Sequence, residues 1–112
     1  MRKLLLLPAL AAAALATTVP PALSAREITV GDNYFVKPSG VPEVTVSKGT
    51  KVKWVWKNRT LHNVKATKGP VKFGSDPKTG GSYSKRMKRK GTYTIVCTIH
   101  GGWDQKMRLV VN

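Results

Sequence analysis

Cysteine is almost absent: Cys97 is the only one in 112 residues. A disulfide within the chain is therefore excluded, and in an oxidising compartment a lone thiol is a liability unless something protects it. Acid is scarce as well. Five Asp and Glu stand against 20 Lys and Arg, giving a formal charge of +15. Histidine occurs only at His62 and His100. With so few such groups, no general acid–base pair, no activated nucleophile and no second metal cluster is visible, which argues against catalysis. The longest apolar run, Leu4 to Ala16, is shorter than the ~20 residues that span a bilayer. After residue 25 no segment carries a helical pattern.

The beginning of the chain has its own order. Met1-Arg2-Lys3 is basic, Leu4 to Ala16 is apolar, and small residues lead to Ala22-Leu23-Ser24-Ala25. That order predicts a secretory signal peptide over 1–25, cut after Ser24 or Ala25. Pro20-Pro21 stops the apolar run short of a membrane anchor. A cut after Ala25 leaves 87 of the 112 residues, and loss of Arg2 and Lys3 lowers the charge from +15 to +13. Residues 26–112 then form one small domain, of a size that often borrows stability from a metal. Its compartment is periplasmic or extracellular.

The domain alternates β-rich runs with turn signals, as an all-β sandwich does. Strand regions are expected at 27–36, 43–46, 51–56, 62–66, 82–89, 92–96 and 105–111. In Lys51 to Trp56, Val52, Trp54 and Trp56 share one face, as core. Lys68 to Gly81 is mostly loop. Lys85, between Tyr83 and Met87, breaks the apolar alternation and is expected where a sheet edge meets solvent.

The three soft or borderline donors fall at strand ends. Cys97 and His100 make a Cys-x-x-His pair on one tight loop, and His62 lies 35 residues upstream. Two imidazoles and a thiolate form a trigonal set that suits copper with a weak fourth ligand. A structural zinc site normally wants four strong ligands, and this chain offers three. By residue type alone, a buried core thiol with two surface histidines fits equally.

The surrounding residues narrow the choice. Gly91-Thr-Tyr-Thr-Ile-Val-Cys-Thr-Ile-His100 resembles the G-T-Y-x-Y-x-C-x-x-H run of plastocyanin-like cupredoxins. Val52 to Val64 (VKWVWKNRTLHNV) resembles the strand that leads to their first ligand. The likeness runs from about Val46 to Asn112, with both motifs in order. It implies a Greek-key antiparallel β-sandwich of seven to eight strands and a blue type 1 copper ion held by His62, Cys97 and His100. It also implies that Asn63 ties the two ligand loops together at the Thr98 region.

The axial position departs from the usual cupredoxin pattern. The fifth residue after His100 is Gln105 where methionine is common, which is similar to stellacyanin. Stellacyanins carry a disulfide that this chain lacks. Gln105, Met107, Leu109 and Val111 share the inward face of the last strand, so Gln105 comes first after the loop and Met107 one step deeper. Gln105 is expected as axial ligand, with Met107 as the alternative if the loop bulges.

The function this implies is one-electron transfer between redox proteins, by a monomer that is a carrier rather than an enzyme. Copper delivery without electron transfer would use the same ligands. Lys85-Arg86-Met87-Lys88-Arg89-Lys90 is a basic patch. It reads either as a solvated face or as a surface steering the protein to an acidic redox partner or an anionic envelope surface. A polyanion-binding module is the remaining alternative, but the run lacks interleaved aromatics and export argues against nucleic acid.

Overall fold

A computed structural model describes residues 24–100 and 104–112, apart from the His100 side chain. The expected leader therefore lies outside the described residues up to position 23. Eight strands form: β1 (Ala25–Gly31), β2 (Tyr34–Phe35), β3 (Glu43–Val46), β4 (Lys51–Trp56), β5 (Lys65–Lys68), β6 (Ser82–Arg86), β7 (Gly91–Val96) and β8 (Lys106–Val111). Period-two burial drives them. In β4, Val52, Trp54 and Trp56 are buried while Lys51 and Lys53 are exposed; in β8, Met107, Leu109 and Val111 are buried and Arg108 is exposed.

The strands make two four-stranded sheets, ordered β2-β1-β4-β6 and β3-β8-β7-β5. The sandwich is as expected, but its pairing is not antiparallel throughout. β1 lies parallel to β4, and β3 parallel to β8. The cause is the route of the chain: after β1 and β2 it crosses to the other sheet as β3, then returns beside β1 in the same direction as β4. Between the sheets, Trp54 packs against Phe73 and Tyr83 at 6.0 and 5.9 Å between ring centroids, and Phe73 meets Tyr93 at 6.0 Å. Losing so large a buried ring costs about 3–5 kcal/mol.

Two expected strands are built differently. The 27–36 region is a hairpin. β1 ends at Gly31, Asp32 and Asn33 turn with Asn33 at φ 64°, and β2 pairs back as Val30 with Phe35. The tip of the Tyr34 ring lies over the backbone of Gly31, in the space a side chain there would fill. His62 to Ala66 is not one strand either. His62 forms an isolated bridge with Lys78, the Val64 N–H donates to Ser75 Oγ at 3.0 Å, and β5 starts only at Lys65. The loop after β5 captures this segment before β7 can. Lys85 sits on edge strand β6, half-buried, with Nζ 5.9 Å from the centre of the Phe73 ring.

The pairings define two ends. Ala25, Lys51, Arg86, Gly91 and Val111 stand at one. Trp56, Val96 and Lys106 stand at the other, which holds the candidate site.

Candidate metal centre

Cys97 follows β7 directly and is fully buried. Its N–H donates to the Gln105 carbonyl at 3.0 Å, which continues the β7–β8 ladder one step past the strands. His62 is also fully buried, and its backbone is pinned. The His62 N–H donates to Lys78 O at 3.0 Å, and its carbonyl accepts from Lys78 N at 2.9 Å and from the Trp56 indole at 3.3 Å. These restraints bring His62 Nδ1 to 3.9 Å from Cys97 Sγ, across 35 residues of sequence. The other ring nitrogen, Nε2, lies 3.9 Å from an oxygen of the exposed Asp32 carboxylate.

Asn63 joins the two loops by two hydrogen bonds. Its amide donates to Thr98 Oγ1 at 2.9 Å, and its Oδ1 accepts the Thr98 N–H at 2.8 Å. Asn63 is buried and Thr98 is exposed, so the pair is anchored from the core side. This is the tie expected at the Thr98 region.

Gln105 is fully buried. Its Nε2 donates to Tyr34 O at 2.9 Å and Gly31 O at 3.3 Å, so the β1–β2 hairpin holds the amide. Its Oε1 has no hydrogen-bond partner among the described residues. A buried acceptor left so costs about 1–3 kcal/mol unless a cation or donor meets it. Met107 is buried too, but it stands opposite Ile95, two residues before Cys97, in the hydrophobic core.

Residues 98–100 form a short 3₁₀ turn. The His100 side chain and Gly101, Gly102 and Trp103 lie outside the described residues. Three participants escaped the sequence reading. Asp32 falls there inside the expected 27–36 strand region, because nothing local signals its approach to a histidine 30 positions later. Leu61 and Ile99 are 46% and 41% exposed, unusual for their type. Each immediately precedes a candidate histidine, which was the available signal.

The model of the copper-binding proteins of the plastocyanin/azurin family matches residues 35–112. The chain belongs to this family. It is accordingly a copper-binding cupredoxin holding one copper ion, and not an enzyme. No curated protein matches it in sequence. Solved structures of amicyanin share its fold. A reduced, Cu(I) amicyanin with a methionine changed to alanine is 23% identical, covers 87% of this chain and 88% of its own, and superimposes with a TM-score of 0.65. An oxidised amicyanin with a proline changed to glycine is 25% identical, covering 81% and 85%, at 0.64. A Cu(I) amicyanin carrying glutamine in place of a methionine is 24% identical, covering 84% and 90%, at 0.65.

The described donors suit copper. The Sγ–Nδ1 distance is shorter than a metal–sulfur and a metal–nitrogen bond end to end, about 4.3 Å, so one ion can bond both. A thiolate and an imidazole favour copper over hard cations.

Proposed function

We propose that this protein is an exported blue-copper electron carrier whose ion is held by His62, Cys97 and His100, with Gln105 as the axial ligand. The observation that carries the reading is the approach of a buried thiol and a buried imidazole, with an unsatisfied buried side-chain oxygen on Gln105, the residue whose carbonyl accepts the Cys97 N–H. Bound there, copper supplies a one-electron Cu(I)/Cu(II) couple.

The chain's own residues do the rest. Cys97 and His62 exclude water by their burial. The Asn63–Thr98 bonds and the Lys78 bridge fix the two loops, so the donors keep one arrangement through a change of charge. The hairpin aims Gln105 by its amide nitrogen and leaves the oxygen for the ion. Leu61 and Ile99, exposed beside the two histidine positions, offer apolar contact to a redox partner. The excess of Lys and Arg favours an acidic partner, and also an anionic envelope surface.

The leader over 1–25 and the domain over 26–112 are part of this proposal. Ala25 already pairs with Lys51, so either cut, after Ser24 or Ala25, releases the domain with β1 essentially whole. The decisive experiment is a visible spectrum after Cu(II) addition, with Cys97→Ser as control. An intense charge-transfer band, lost in the control, is the expected result; a titratable thiol with no band would refute the site.

A further inference from the structure

The excess positive charge is not spread evenly. At the end of the sandwich opposite the metal centre, two turns meet. The Gly49 N–H donates to Met87 O at 2.7 Å, and the Met87 N–H donates to Thr50 O at 2.9 Å. This links the turn before β4 to the one between β6 and β7. The joined turns and strand ends carry Lys48, Lys51, Arg86, Lys88, Arg89 and Lys90, all exposed.

Carboxylates are placed elsewhere. The chain has Glu27, Asp32, Glu43, Asp76 and Asp104 and no others. Asp32 lies beside His62, Asp76 in the loop that bridges to it, and Asp104 just before Gln105. Glu27 and Glu43 are engaged on the strands, with Lys57 at 3.5 Å and Arg108 at 3.3 Å. The molecule is thus polarised, with about 20 Å of β7 between the basic end and Cys97.

We infer that the basic end is a docking surface for an anionic phospholipid bilayer, which holds the protein with its metal centre facing away. Two observations favour a bilayer over a soluble polyanion. Among the basic residues opens a cleft of about 370 Å³, rimmed by Lys85, Arg86, Lys88 and Arg89, whose floor is Val71, Met87 and Tyr93. Cations around an apolar floor match a phosphate headgroup above the start of its acyl chains. In addition, the chain enters the domain at this same end, where the Lys51 N–H donates to Ser24 O at 3.1 Å. The expected cut after Ser24 or Ala25 falls at this end, so the basic end is the one nearest the membrane when the leader is removed.

The inference rests on the export reading and is independent of the metal ligands. Clusters of this size bind anionic headgroups with about a fivefold gain per cation near the surface. The metal end lies about two Debye lengths away at 0.1 M salt, so charges there contribute little.

The test uses the exported protein, its N-terminus determined, and vesicles of phosphatidylcholine with or without about 30 mol% phosphatidylglycerol. Lys88→Glu/Arg89→Glu/Lys90→Glu is compared with Lys37→Glu/Arg59→Glu/Lys65→Glu, which changes net charge equally away from this end. The far-ultraviolet β-sheet signal of each variant reports folding, and its copper absorption band reports the metal site. Expected are binding only to the anionic vesicles, a loss of at least a hundredfold in the first variant, and under tenfold in the second. Equal losses in the two variants would overturn the inference, as would equal binding to neutral vesicles. Binding to soluble polyphosphate without binding to vesicles would overturn it too.

Discussion

Replacing Gln105 by methionine should raise the reduction potential, and the structure sets the size of the effect. In the native protein the amide nitrogen makes two hydrogen bonds to the hairpin, while Oε1 is buried with no partner among the described residues. Two neutral bonds contribute about 1 kcal/mol each, and the unsatisfied oxygen costs about 1–3 kcal/mol. In metal-free protein the two losses nearly offset, so Gln105→Met should change stability by no more than about 1 kcal/mol. Cu(II), the harder ion, relieves the oxygen more fully than Cu(I). If the whole relief falls on Cu(II), the native glutamine favours that state by about 1–3 kcal/mol, which at 59 mV per tenfold for one electron is about 40–130 mV. Cyclic voltammetry of Gln105→Met should therefore show a rise in that range, and Met107→Leu almost none. An unchanged or lower potential in Gln105→Met, or a larger shift in Met107→Leu, would refute the axial assignment.

Asn63→Ala removes both bonds to Thr98, whose exposed N–H can turn to water, so it should cost about 2 kcal/mol in urea unfolding of metal-free protein. Thr98→Ala keeps the backbone bond and should cost only about 1 kcal/mol. Asp32→Asn removes a negative charge 3.9 Å from His62 Nε2 and should raise the potential by a few tens of mV, less in high salt because the carboxylate is exposed; voltammetry at two ionic strengths checks both. Burial pushes the Tyr83 and Tyr93 hydroxyls above their usual value of 10.0, with Arg89 partly opposing this at Tyr93. The folded state then holds these protons more tightly than the unfolded one, so stability is full below pH 10 and falls above it. Tyr93→Phe should flatten that fall in thermal melts while costing about 1 kcal/mol for the bond to Arg89 O.

The strands were legible where one face is buried. Val52, Trp54 and Trp56 announce β4, and Met107, Leu109 and Val111 announce β8, because period-two burial is a local property. Lys85 was legible as an edge residue for the same reason. What local pattern does not carry is pairing. The parallel placement of β1 beside β4 depends on the chain crossing between sheets, and the capture of His62 by Lys78 depends on a loop 16 positions later. The site divides in the same way. The resemblance to cupredoxins pointed to Cys97, His62 and the Asn63 tie. The hydrogen bonds that aim Gln105 come from carbonyls at Gly31 and Tyr34, more than 70 residues earlier. Every residue carries a backbone carbonyl that can accept, so sequence cannot single these out.

The same bonds bear on how the protein separates folding from metal binding. In many small metal domains the ion supplies the folding energy, and the ligands gather only around it. Here the segments that carry His62 and Cys97 are fixed by contacts that use neither the imidazole nor the thiol. His62 is held through its backbone to Lys78 and the Trp56 indole, Cys97 through its N–H to the Gln105 carbonyl, and the two loops through Asn63. Beneath them lies one continuous core that includes Val30, Trp54, Tyr93, Ile95 and Leu109. Chelation of copper should therefore bleach the charge-transfer band while leaving the far-ultraviolet β-sheet signal and cooperative unfolding in place. Loss of sheet signal together with colour would mean that the ion, not this hydrogen-bonded frame, organises the site. A frame that holds its donors still is also what a rapid electron carrier requires, because nothing must rearrange when the charge on the ion changes.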